Sequence, residues 1–146
     1  MAEIPERLAA TVEAFEMLPD RAERIQWLID IAERFREVPP EVARRPFPEA
    51  HRVPACESEA YVWGAERPDG GLDFHFAVEN PQGLSAKALA VILKEGLAGA
   101  SPEDVAAVPQ DIVYKIFGNE LSMGKSMGLQ GMVSMVTNTA KKKLPA

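Results

Sequence analysis

The sequence predicts an α+β fold in which a small antiparallel β-sheet packs against flanking helices. Apolar residues recur at helical spacing near both ends of the chain, whereas a central stretch alternates with a period of two around a strong turn sequence. The chain has 146 residues, of which 47% are hydrophobic and 26% charged, as in an ordinary folded domain. We therefore expect a single domain over residues 1–146.

Two amphipathic helices are predicted at the start of the chain. Asp20 can cap the second helix, with Glu23 at the third helical position as in a capping box. This helix runs to about Phe35, and its apolar stripe consists of Ile25, Leu28, Ile29, Ala32 and Phe35. The first helix covers residues 4–16, because its apolar residues lie three or four positions apart: Ile4, Leu8, Val12 and Phe15.

The central stretch predicts a β-hairpin. Five prolines between Val38 and Pro54 first indicate an extended, irregular connection. Residues 60–65 are then apolar on both faces, which is typical of a strand buried on both sides. The sequence Arg-Pro-Asp-Gly-Gly at 67–71 favours a turn, and residues 72–78 alternate as in a strand with one wet face.

The chain after the hairpin is predicted to be helical. Residues 84–98 are the most apolar stretch and predict a central buried helix, and Ser101 caps a short helix that begins with Pro102. Another short helix passes through Ile112 and Phe117. Ser122 can cap the last helix, whose apolar stripe consists of Leu129, Met132, Val133, Val136 and Ala140.

The composition of the chain argues against several classes of function. The net charge of −6 and the pI near 5.0 argue against nucleic-acid binding, since the only basic run, at 141–143, stands where a helix would end. No apolar stretch is long enough to span a membrane, and the N-terminal sequence is unlike a signal peptide. One cysteine permits no internal disulfide. We therefore expect a cytoplasmic protein that binds neither nucleic acid nor membrane, and no metal or cofactor, because one cysteine and two histidines are too few for a thiolate cluster.

Cys56 is the only candidate nucleophile, and it stands in a loop between the proline-rich segment and the first strand. A buried, purely structural cysteine is the alternative. His51 or Arg52 would lower the pKa of the thiol and the neighbouring glutamates would raise it, so the sequence leaves the direction open. His51 is interpreted either as the partner of Cys56 in a Cys–His pair or as an exposed loop histidine. His75 is expected to face solvent.

Residues 124–128 offer a second motif, Gly-Lys-Ser-Met-Gly, which faintly resembles a phosphate-binding loop. It lacks the full spacing of that motif and the strand that precedes it, so we reject this reading. The methionines of the same region are expected to fill the core, although only Met132 lies on the apolar stripe.

Residues 52–63, RVPACESEAYVW, resemble the V-x-G-C-x-S-x-V-W neighbourhood of SufE-type sulfur-acceptor proteins. The likeness continues in LPDRAERIQWLIDIAERF at 18–35, in Lys87 and Leu89, and in the segments 101–105, 121–122 and 127–132. It covers roughly residues 17–143 in the family's order. Ala55 stands where the family has glycine, which would restrict the loop if that position needs a positive φ. Lys125 stands where the family usually has arginine, which keeps the charge but loses the bidentate fork.

The resemblance implies a SufE/IscU-like fold and a role in iron–sulfur cluster assembly. Cys56 would accept sulfane sulfur as a persulfide from a PLP-dependent cysteine desulfurase and pass it to an Fe-S scaffold complex. The chain would then be a sulfur-transfer partner and activator of the desulfurase rather than a stand-alone enzyme. Ser58 and Lys125 would support the loop or contact the partner. The residues themselves leave two alternatives open, a single-cysteine redox sensor and a non-catalytic interaction module.

Overall fold

The computed structural model describes residues 4–119 and 121–145. Within them, six α-helices and one two-stranded sheet confirm the predicted α+β class. None of the described helices has the length and apolar character needed to cross a membrane. In chain order the elements are α1 (Glu6–Glu16), α2 (Arg21–Ala32), β1 (Ala60–Glu66), β2 (Leu72–Val78), α3 (Leu84–Gly96), α4 (Pro102–Ala106), α5 (Ile112–Phe117) and α6 (Met123–Lys141).

The predicted hairpin is confirmed. Strands β1 and β2 pair antiparallel, in a register that runs from Ala60 opposite Val78 to Glu66 opposite Leu72. The Asp69 carboxylate accepts a hydrogen bond from the Gly71 amide at 2.8 Å and so fixes the turn. Turn chemistry and alternation therefore set the register together.

The outer face of the hairpin is buried at Tyr61 and Trp63, as the apolar run at 60–65 predicts, and on β2 it is drier than expected at Ala77. Tyr61, Trp63 and Ala77 of this face are buried, together with Val38 of the connecting segment. The Phe47 ring lies 5.2 Å from Tyr61 and 5.1 Å from Trp63, centroid to centroid. The proline-rich segment folds back over the sheet because burying these aromatic rings is favourable, so the expected wet face is only partly wet.

Helices α3 and α6 cover the inner face of the hairpin. Helix α3 packs against β2 and also against α1 and α2, whereas α6 packs against β1 and α4. A Cβ on Gly96 would lie 3.0 Å from the Cβ of Leu8, so α1 and α3 approach closely at that point. The main core therefore surrounds α3, as the apolar run at 84–98 predicts.

The predicted capping side chains are present, but among the described residues Glu23 forms no bond back to Asp20, so the capping box is incomplete. The side chain of Asp20 accepts from the Ala22 amide at 2.9 Å, and Ser101 and Ser122 each accept from the third residue of their helices at 3.2 Å. Helix α2 ends at Ala32, three residues before the predicted end, because its last turn tightens into i→i+3 hydrogen bonds.

Candidate functional site

Residues 54–59 form the loop that presents Cys56, here called the cysteine loop. Its base is closed by an isolated β-bridge between Arg52 and Tyr61 and by the Val53 amide, which donates to the Ala60 carbonyl at 2.8 Å. Val53 is fully buried. The cysteine loop therefore has six residues, its two ends are held together by hydrogen bonds, and it leads directly into β1.

The backbone of the cysteine loop is left-handed on both sides of Cys56. Ala55 has a φ of 56° and Glu59 a φ of 52°, and they are the two described non-glycine residues with positive φ. The Glu59 amide donates to the Cys56 carbonyl at 3.1 Å and closes a tight turn. The position before the cysteine thus needs the conformation that glycine adopts freely, and alanine adopts it at a cost of about 1–2 kcal/mol.

Residues just after β2 hold the loop from one side. The Glu79 amide donates to Glu59 and the Asn80 amide to Ser58, each to the carbonyl oxygen at 3.1 Å. The Asn80 side chain adds a bond from Nδ2 to the Glu57 carbonyl at 3.3 Å. The Ser58 side chain is expected from the sequence to support the loop by a hydrogen bond to the backbone, but among the described residues its hydroxyl forms no hydrogen bond. Only the Ser58 carbonyl takes part, through the bond from Asn80.

Three glycines of α6 hold the loop from the other side. A Cβ on Gly128 would lie 3.1 Å from the Cα of Cys56 and 3.3 Å from its Sγ, and one on Gly131 would lie 2.9 Å from Cγ1 of Val53. A Cβ on Gly124 would lie 2.8 Å from the Glu57 carboxylate. Because they are spaced four and three residues apart, these glycines share one face of α6, and together they let the loop lie directly against the helix backbone.

The Cys56 thiol is free and only 8% exposed. It lines a cavity of about 280 Å³ enclosed by the cysteine loop, the segment after β2 and the first turns of α3 and α6. Lys125, the other residue singled out by the sequence, is exposed and lines the same cavity. Its ammonium group forms no ion pair among the described residues, and the acidic Glu57 lines the same cavity. Cys56, Ser58 and Lys125 are therefore brought together around one cavity.

Neither histidine joins this cavity. His51 is half-buried on the outer face of the hairpin, where Nδ1 lies 2.9 Å from the Val62 carbonyl and the ring stacks on Trp63. The structure therefore supports neither a Cys–His pair nor a freely exposed His51. His75 is also half-buried rather than fully exposed, 3.3 Å from the ammonium of Lys94, and burial first and the Lys94 charge second lower its pKa.

The sequence analysis did not single out Asn80 or the three glycines. Asn80 stands in an Asn-Pro pair that predicts only a turn, and the glycines carry a weak signal in their helical spacing. The motif at 124–128 lies inside the first turns of α6, with no strand before it, which agrees with its rejection as a phosphate loop. Within residues 4–119 and 121–145, no cluster of three or more histidine, cysteine or acidic side chains is arranged to hold a metal ion.

Comparison with known proteins agrees with the fold and with the resemblance of the sequence. The model of the SufE family, described as the Fe-S metabolism associated domain, matches residues 9–140. No curated protein matches the chain significantly. Seven chains of solved structures match. One of them, the solution structure of a hypothetical protein from Thermus thermophilus, is 26% identical, covers 98% of this chain and 99% of its own, and superposes with a TM-score of 0.77.

Proposed function

Because this chain belongs to the SufE family, and so to a family associated with Fe-S metabolism, we propose that Cys56 carries sulfur for iron–sulfur cluster assembly. It would accept sulfane sulfur as a persulfide from a PLP-dependent cysteine desulfurase and pass it to an Fe-S scaffold complex. The observation that carries the proposal is the placement of the only thiol of the chain on a tethered loop that faces a cavity.

The chemistry of the proposed step is thiol exchange. The Cys56 thiolate attacks the outer sulfur of the donor persulfide, the sulfur–sulfur bond of the donor breaks, and the donor cysteine leaves as a thiolate. Cys56 then carries the persulfide, and no electron acceptor is needed. The rate depends on the thiolate fraction of the attacking cysteine and on access to it. One thiol suffices for this role, whereas a cluster scaffold needs about four ligands.

The surroundings of Cys56 suit a carrier. The cavity has room beside Sγ for one more sulfur atom, and the missing side chain of Gly128 leaves the helix backbone directly against the thiol. A persulfide is anionic when deprotonated, and Lys125 supplies a positive charge at the cavity wall, where Glu57 supplies a negative one. Asn80 holds the loop in the resting position through two hydrogen bonds. The PLP chemistry that generates the sulfur belongs to the partner.

The test is the intact mass of the protein after incubation with a cysteine desulfurase and cysteine in the absence of reductant. We expect a gain of whole sulfur atoms that disappears on reduction and is absent in Cys56→Ser. Circular dichroism checks that the serine variant is folded. No gain of sulfur with the desulfurase of the same organism contradicts the proposal, as does a gain that persists in Cys56→Ser.

The low exposure of Cys56 also fits a non-catalytic interaction module with a structural cysteine. That function predicts that thiol reagents label Cys56 only as fast as the whole protein unfolds. A carrier predicts labelling through local opening of the cysteine loop, at a rate far above global unfolding. Comparing the labelling rate with the unfolding rate measured in denaturant separates the two functions.

A further inference from the structure

A second, larger cavity of about 630 Å³ opens beside that of Cys56, and we call it the groove. It lies between α2 and residues 117–119 and 121–122, which precede α6. Leu84, Ser85 and Lys125 line both the groove and the Cys56 cavity, so the two spaces meet at a shared wall. The groove therefore extends from the neighbourhood of the thiol across the surface of the protein.

The charge of the groove is opposite to that of the chain. Arg24 and Lys125 line it, and none of its lining residues within the described part of the chain is an aspartate or glutamate. Arg21 lines it too, but it already has an interaction partner, so the positive charge is assigned to Arg24 and Lys125. The protein as a whole carries a net charge of −6. A cationic groove in an acidic protein concentrates positive potential where it attracts an anionic ligand.

Arg24 is the most informative of these cations. Its Nε atom is inaccessible to solvent and has no hydrogen-bond partner among the described residues, and one terminal nitrogen of its guanidinium lies against Gly118. A buried donor without a partner is unfavourable. Because Nε is covered, a ligand in the groove meets Arg24 through its charge rather than through a hydrogen bond to Nε.

The groove also exposes apolar surface. Ile25, placed by the sequence on the apolar stripe of α2, is 45% exposed, and Leu84 at the shared wall is 40% exposed. Side chains of this kind pack against a ligand that is itself partly apolar. The lining thus combines apolar positions with cations, a pattern that suits a chain segment better than a small inorganic anion.

We propose that the groove binds an extended acidic segment, with apolar residues among the acids, of the protein that donates sulfur to Cys56. The proposal rests on the sulfur-acceptor function proposed above. A donor sulfur on another protein has to enter the Cys56 cavity, and the chain that bears it must cross the adjoining surface. At the shared wall with the groove, that chain meets Lys125 first and Arg24 farther along.

The test uses two synthetic heptapeptides in place of the unidentified donor. Each has one central cysteine in a mixed disulfide with thionitrobenzoate, flanked by glutamate and leucine in one peptide and by glutamine and leucine in the other. The Cys56 thiolate attacks the peptide sulfur, the mixed disulfide breaks, and coloured thionitrobenzoate leaves. The measured quantity is the ratio of the two second-order rate constants, acidic over neutral. Effects on the ionisation or accessibility of Cys56 cancel in this ratio.

For the unmodified protein we expect a ratio on the order of ten at low ionic strength, falling toward one in high salt. Arg24→Glu and Lys125→Glu should each bring the ratio near or below one. Arg36→Glu is the matched control, because it makes the same charge change on an exposed arginine that lines neither the groove nor the Cys56 cavity. If Arg24→Glu does not fold, Arg24→Gln replaces it and should lower the ratio by a smaller factor.

Four results would overturn the proposal. They are a ratio near one in the unmodified protein, a preference that survives both groove reversals, an equal loss in Arg36→Glu, and failure of both peptides to react with the folded protein. The experiment is separate from sulfur transfer, because no persulfide is involved. A chain that takes no sulfur from a desulfurase but prefers the acidic peptide would refute the proposed function and leave the groove's preference standing.

Discussion

Replacing Ala55 by glycine should make Cys56 less accessible, although glycine is the more flexible residue. Ala55 is exposed and has a φ of 56°, so its methyl group contributes little packing and holds the backbone in a disfavoured region. Removing this strain favours the closed cysteine loop by about 1.5 kcal/mol, the middle of the usual range for a left-handed alanine. The greater freedom of glycine in the open loop opposes it by about 0.7 kcal/mol. The difference, about 0.8 kcal/mol, lowers the open fraction about fourfold.

The assay for Ala55→Gly is the rate at which a thiol reagent labels Cys56 in the folded protein, with the reagent in excess. Because Cys56 is 8% exposed, labelling follows the population of the open loop, and we expect it to slow about fourfold. Ala98→Gly is the control, since Ala98 is also exposed but does not have a positive φ. Equal or faster labelling in Ala55→Gly would refute the reasoning, because strain at Ala55 would then not act against the closed loop.

Two further predictions concern the site and the sheet edge. Gly128→Ala should accelerate labelling of Cys56 on the order of tenfold, because the new Cβ would lie 3.1 Å from the Cα of Cys56 and overpacking of this kind costs about 1–3 kcal/mol. In the control Gly124→Ala, the new Cβ meets only the movable end of the Glu57 side chain. An equal effect in both variants would contradict the prediction. His75 has a lowered pKa in the folded state, so the unfolded chain binds the proton more tightly and stability is lost as the pH falls below the ordinary histidine value of 6.5. In urea unfolding from about pH 7.5 to about pH 5.5, His75→Gln should lose less stability than the unmodified protein, and an unchanged loss would assign the effect to other groups.

Local features of the structure were predictable because their causes are local. The hairpin follows from an alternating run and a turn sequence a few residues long, and each helix cap depends on one side chain and the amide two or three residues later. The same reasoning misplaced features that depend on distant segments. The outer face of β2 is buried at Ala77 because the segment around Phe47 returns over it, and Ile25 is exposed because α2 turns one side toward the groove. No periodicity within either segment contains this information.

The candidate site divides in the same way. Cys56 could be found because it is the only thiol, and Ala55 because the family has glycine there. Asn80 and Gly128 lie 24 and 72 positions after Cys56 in the sequence, and their role depends on how β2 and α6 pack around the loop. The glycine spacing predicts that something approaches α6 closely, but it does not say what.

The contacts of the cysteine loop and the strain in its backbone act in opposite directions on its opening. Hydrogen bonds from Asn80 and close packing on Gly128 favour the closed loop, in which the thiol is covered. The left-handed Ala55 and Glu59 disfavour that same conformation by about 1–2 kcal/mol each, so they lower the free energy of opening without adding contacts to the open loop. For the proposed carrier this opposition has a use, because a persulfide must be shielded from water and reductants in transit and yet be delivered to a partner. A loop held only by favourable contacts would have to lose all of them to open, whereas release of backbone strain offsets part of that loss.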